Sequence, residues 1–252
     1  MIVIGAFLWW IALMGPAGDL RKFDPDAVAA AETAMWRSYY SRERMRLFIQ
    51  LVQLLQEQYL QPAPKAILTA FHAARAASTF QSGHSRTEYE RALPDLVDYF
   101  SRLLPPGAAL EPVARLELEW WILHRERHPR LAPALAELQA AIYSLPAEKF
   151  REHAALRAEA MIIRDRRAER GELTEEDWRQ INDLLRRSWR SLHAAVNLNP
   201  AVGATPAPFS HGLQAVAKKP VITQMVKCAA VEIPSQFNDL GRSAESRLPF
   251  FG

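Results

Sequence analysis

Residues 115–130, "RLELEWWILHRERHPR", decide how this chain folds. Apolar side chains stand at Leu116, Leu118, Trp120, Trp121, Ile122 and Leu123. At about 100° per residue they surround a helix rather than line one stripe of it. A helix that is apolar nearly all round needs neighbours on several sides, so it belongs inside a helical bundle. Its polar groups then become informative. Glu117, Trp121, His124 and His128 share one face, while Glu119 lies roughly 160° from Glu117, so the two carboxylates form no local pair. A carboxylate buried in such a helix must find a partner or hold a proton.

His124 and His128 have the i, i+4 spacing of helical metal sites. Pro129 stops the helix at once, and Arg125, Arg127 and Arg130 crowd that end, where they repel a cation. The simpler reading makes His128 a helix-end residue beside the negative end of the helix dipole. At least one of Trp120 and Trp121 is expected to anchor the core.

Outward from this stretch the period stays helical between Asp24 and Asn197. Asp24-Pro25 is a cap with proline at the first helical position. That helix carries Val28, Glu32, Met35, Trp36, Tyr39 and Tyr40, and is expected to continue past a bend near Ser41 until Pro62. A second helix runs from Pro64 to about Phe80. Ser85 and Glu88 form a capping box that opens a third helix, reaching Leu104 with a kink at Pro94. The fourth runs from Leu110 to His128, the fifth over Ala132–Ser144, the sixth from Pro146 to Arg170. Thr174 and Asp177 make a weaker box before a last helix to about Val196. Short loops predict antiparallel neighbours. The fold expected is all-α: one irregular antiparallel bundle of about seven helices over residues 19–196.

The two ends differ from this body. "MIVIGAFLWWIALMGPAG", residues 1–18, carries no charged side chain. Its apolar run, Met1 to Met14, is shorter than the ~20 residues a bilayer core asks of a helix. Trp9 and Trp10 suit an interface. Three readings compete: signal anchor, cleaved signal peptide, and buried terminal helix. The signal peptide lacks a positive n-region and an Ala-x-Ala-like exit. Membrane attachment through residues 1–18 is the leading expectation; the side of the membrane stays open. Residues 197–252 break their pattern repeatedly with Asn, Pro, Gly and Ser, and are expected to be a poorly structured tail. Within it, Val221 to Val231 is the one stretch suited to a short helix or strand.

Charge narrows the partners. The net charge is +3, but residues 197–252 hold five basic groups and three acids, leaving 26 basic and 25 acidic groups in residues 1–196. A near-neutral body lacks the basic footprint of a nucleic-acid binder, so no nucleic acid is expected. One cysteine, Cys228, excludes an intramolecular disulfide and a thiolate zinc site. The hydrophobic fraction of 49% supplies a sizeable core without either.

Chemistry has few handles. The chain has no Gly-rich phosphate loop, no Gly-x-Ser-x-Gly elbow and no zinc-protease helix motif. A buried polar cluster of Glu32, Tyr40, Arg75, Glu117, His124 and Arg157 is the candidate ligand-binding set. Glu32, Arg75, Glu117 and Arg157 would form its charged network and mark a pocket. The simpler expectation is that each arginine snorkels or pairs at the surface. His153, Arg157 and Arg164 share a side of the sixth helix, with Glu159 and Asp165 elsewhere. The run "RDRRAERG", Arg164 to Gly171, is expected to be a solvated helix end. The enzyme alternative is a di-iron-like oxidoreductase holding iron or manganese on Glu32, Glu117, Glu119, His124 and Glu159. Such sites use Glu-x-x-His pairs, and none occurs in the chain. The leading expectation is therefore a membrane-tethered module, without a cofactor, that binds a protein partner or an apolar small molecule without catalysis.

Overall fold

The computed structural model describes residues 18–197 apart from Glu172. The expectations for the apolar start and for the tail, including Val221–Val231, lie outside the described residues. Nine α-helices follow in order. They are α1 (Pro25–Tyr40), α2 (Arg44–Tyr59), α3 (Ala63–Ser82), the single turn α4 (Arg86–Tyr89), α5 (Leu93–Leu103), α6 (Leu110–Arg125), α7 (Leu131–Tyr143), α8 (Arg151–Ala168) and α9 (Glu175–Asn197). Short 3-10 turns precede α5 and α8. The described residues contain no strand, and none of their helices is long and apolar enough to cross a membrane.

Local chemistry explains the boundaries. Asp24 accepts hydrogen bonds from the amides of Asp26 and Ala27, with Pro25 following as the first helical residue. The predicted bend near Ser41 is instead a full break. The Glu43 amide donates to the Ser38 carbonyl and the Arg42 amide to the Tyr39 carbonyl, with Arg42 at φ 57°. This is a Schellman closure. It stops the helix although no glycine marks the spot. The same pattern ends α6 three residues short of His128: Arg127 has φ 53°, and the Arg127 and His128 amides donate to the His124 and Leu123 carbonyls. His128 accordingly sits in an exposed turn, where its Nδ1 accepts from the Arg130 amide.

The third predicted helix also divides. Ser85 accepts from the Glu88 amide, but the Glu88 carboxylate reaches back to the His84 amide. One turn forms, a 3-10 turn follows, and α5 restarts with Pro94 in its first turn. There the missing N–H costs nothing, so the expected kink becomes a helix start. The Thr174 box closes fully: Asp177 accepts from the Thr174 amide, and the Thr174 hydroxyl accepts from the Asp177 amide.

The eight longer helices run up and down in turn. Each packs on its neighbours, and α9 packs on both α8 and α1, which closes the bundle. Trp36, Trp120, Trp121, Trp189, Phe80 and Phe100 fill the interior with almost no exposure. Both predicted α6 tryptophans are core residues. The alternation collects turns at two poles. At one pole the Asn197 side chain donates to the Arg21 carbonyl, Tyr143 to the Leu20 carbonyl, and Gln61 to the Arg102 carbonyl. A Cβ placed on Gly18 would lie 2.9 Å from the Tyr59 carbonyl oxygen, so the chain passes tightly over the end of α2.

Candidate functional site

Helical spacing on α1 stacks Glu32, Trp36 and Tyr40 along one face. Across from them α8 presents His153, Arg157 and Arg164. α9 contributes Ser188 and Trp189, and α6 contributes Glu117, Trp121 and His124.

Glu32 is nearly inaccessible and accepts from Arg157 on one oxygen and from Trp189 Nε1, at 2.7 Å, on the other. Burial pushes its pKa up, and Arg157 and Trp189 oppose that rise without cancelling it. The Arg157 guanidinium also lies over the Trp189 ring. Next to it, the Ser188 hydroxyl donates to the His153 carbonyl. That leaves His153 Nδ1 to donate to the Ser188 hydroxyl and carbonyl oxygens, at 2.8 and 3.1 Å. Burial first, and the Arg157 charge second, lower the His153 pKa to about 3.

A second cluster lies toward the far end of α8. Asp165 accepts from Tyr40 at 2.9 Å and from Arg164 Nε at 2.9 Å, and pairs with His124 Nε2 at 2.8 Å. Burial opposes ionisation of Asp165, but Arg164, His124 and Tyr40 together hold its carboxyl well below the usual range. The Arg164 guanidinium lies 4.4 Å from the Trp36 ring centre and also covers Tyr40. Burial raises the Tyr40 phenol, and the neighbouring Asp165 charge adds to that rise. The Asp165 side chain is 31% exposed, so this cluster reaches the surface.

Glu117 is buried on α6 and accepts from Trp121 Nε1 at 2.8 Å. Burial, helped by the Glu117 charge, raises the phenol pKa of Tyr99 and of Tyr59.

Two buried arrangements thus replace the single predicted network. Glu32 and Arg157 meet, so the expectation of surface arginines fails for Arg157. Tyr40 and His124 meet through Asp165. Arg75 belongs to neither: it is half exposed and pairs with Asp95 on α5. The candidate set missed His153, Arg164, Asp165, Ser188 and Trp189. Arg164 was placed in a solvated run, yet it is 1% exposed. Its alignment with His153 and Arg157 on one helical face was the available signal.

The five residues of the metal reading do not converge. Glu119 is half-buried and pairs with Arg86, and Glu159 is exposed at a groove between α8 and α9. Among the described residues, His72, Asp95 and Asp98 form the one trio whose ligand atoms approach closely enough for a metal ion. Arg102 lies 3.2 Å from His72 Nε2, and a guanidinium can only donate there. Nε2 is then the acceptor, and Nδ1 carries the proton that it shares with Asp95 at 3.2 Å. In this arrangement Nδ1 would have to give up its proton to bind a metal, and Arg75 already engages the second Asp95 oxygen.

Two open surface grooves lie among the described residues. One, of about 500 Å³ between α1 and α9, has Ala30, Thr33 and Ala34 along its α1 side, with Arg37, Trp178 and Asn182 beside them. The other, of about 410 Å³ between α8 and α9, is lined mainly by charged residues and shares Arg179 and Asp183 with the first. Comparison with protein-family models, curated proteins and solved structures returns no match to this chain.

Proposed function

We propose that the chain is a membrane-tethered helical module that binds a protein partner and catalyses no reaction. One observation carries this reading: the buried and half-buried carboxylates of these clusters are engaged by donors of the fold itself. Glu32 holds Arg157 and Trp189, Asp165 holds Arg164, Tyr40 and His124, and Glu117 holds Trp121. Such groups specify a packing rather than wait for a substrate. Ring systems fill the interior, which argues for a protein partner over an apolar small molecule. The open grooves beside α9 are what the described residues offer to another chain. Residues 1–18 supply the tether.

Two measurements test the proposal. Full-length protein purified without an affinity tag should contain no stoichiometric iron or manganese by elemental analysis. It should also float with membranes and resist salt extraction, while a chain starting at Leu20 stays in the aqueous fraction with the same helicity. Stoichiometric metal that is lost in Glu117→Gln would replace this reading with the oxidoreductase.

A further inference from the structure

The two poles of the bundle differ in chemistry. At one pole lie the turns 41–46 (SRERMR), 126–130 (ERHPR) and 169–175 (ERGELTE), dense in charge. At the other lie the turn tips 60–64 (LQPAP), 103–110 (LLPPGAAL) and 144–147 (SLPA), which contain no charged residue, beside exposed Glu148 and Lys149 and the segment 19–24 (DLRKFD). Leu60, Pro62, Pro105, Pro106, Ala109 and Pro146 are exposed there. Hydrogen bonds tie this second pole together: Gln61 bridges to the Arg102 carbonyl, and Tyr143 to the Leu20 carbonyl. Gly18, where residues 1–17 join the described fold, sits against Tyr59 and Leu60 at the same pole.

We infer that this pole, with its three charge-free turn tips, lies on the bilayer surface. The inference rests on the tether proposed above and adds which face meets lipid. An apolar run leaving from Gly18 would hold this pole, rather than the charged one, within reach of the interface. Three charge-free turns at one pole avoid the desolvation that charged turns would suffer there. Arg21 and Lys22 are exposed beside Gly18, at the depth of lipid headgroups. Asp19, which pairs with Lys22, and Asp24 lie in the same exposed segment, so it carries both signs of charge. The pole with the charge-dense turns then points away, separated by α9, whose 23 residues span roughly 35 Å at 1.5 Å each.

The experiment uses the full chain with Cys228→Ser, reconstituted into phosphatidylcholine–phosphatidylserine vesicles. An environment-sensitive fluorophore is placed on Ala109→Cys or on Met45→Cys, both exposed and at opposite poles. Circular dichroism checks that each keeps its helicity. The expected result is flotation of both, with blue-shifted emission and quenching by shallow doxyl lipids for the Ala109 probe and neither change for the Met45 probe. Flotation with neither probe quenched overturns the inference and leaves the tether standing: the tail or a partner would then cover this pole. Quenching at Met45 alone reverses the orientation and also overturns it. Failure to float overturns the tether and this inference together.

Discussion

At the scale of single residues, the buried charges set both stability and its pH dependence. Glu32→Gln leaves Arg157 charged and buried beside a neutral amide. Breaking a buried pair in this way costs about 3–5 kcal/mol, readable by urea denaturation. Exchanging both partners for apolar residues, as in Glu32→Met with Arg157→Leu, should recover much of that loss. A double variant no more stable than Glu32→Gln would show that the pair itself holds the helices together. His153 acts through protons. Its folded pKa, about 3, lies below the 6.5 of an unperturbed histidine. As pH falls below 6.5 the unfolded chain takes up a proton that the folded chain refuses. Stability therefore drops between pH 6.5 and 3, by up to about 1.4 kcal/mol per pH unit. Denaturation at pH 7.5 and 5 should show this slope in the native chain and a shallower one in His153→Gln. Glu32 and Glu117 could be singled out in the sequence because a carboxylate on an apolar helical face is anomalous by itself. Asp165 could not, because beside Arg164, Arg166 and Arg167 it looks like one more charge at a wet helix end.

At the scale of elements, periodicity and caps located the helices, and chemistry without a sequence signature shifted their ends. Proline and the Ser and Thr boxes announce starts. The ends at Arg42, Leu60, Arg127 and Ser144 are closed by non-glycine residues at positive φ, where glycine is the usual sign. That is why α1 and α2 read as one bent helix, and α6 as longer than it is. The left-handed conformation costs an L-residue roughly 1–2 kcal/mol, of which glycine's greater unfolded-state freedom takes back part. Arg42→Gly should consequently raise stability by about 0.5–1 kcal/mol in thermal or urea melts. A loss would mean that the Arg42 side chain contributes more than its backbone conformation costs.

At the scale of the whole molecule, residues 18–197 contain the core and both buried clusters. A chain of those residues alone should melt in one cooperative transition at the temperature of the full protein. A loss of several kcal/mol, the size expected from removing core packing, would show that residues 1–17 or the tail are built into the fold. The bundle was legible as a whole because helical periods and short loops leave few alternatives. Its polarity was legible only afterwards, since the alternation of the helices decides which turns share a pole. One more consequence follows from α1 and α9 lying side by side with Arg21 and Asn197 in contact. Their cross-links form successive rungs: Asn197 to Arg21, Arg190 to Asp26, Thr33 to Asn182, and Arg37 to Glu175. Tension between residues 18 and 197 meets these rungs one at a time, starting at the loaded end. The domain would peel open at low force, whereas a pull between residue 18 and the turn at 170 would load the rungs together and meet far greater resistance.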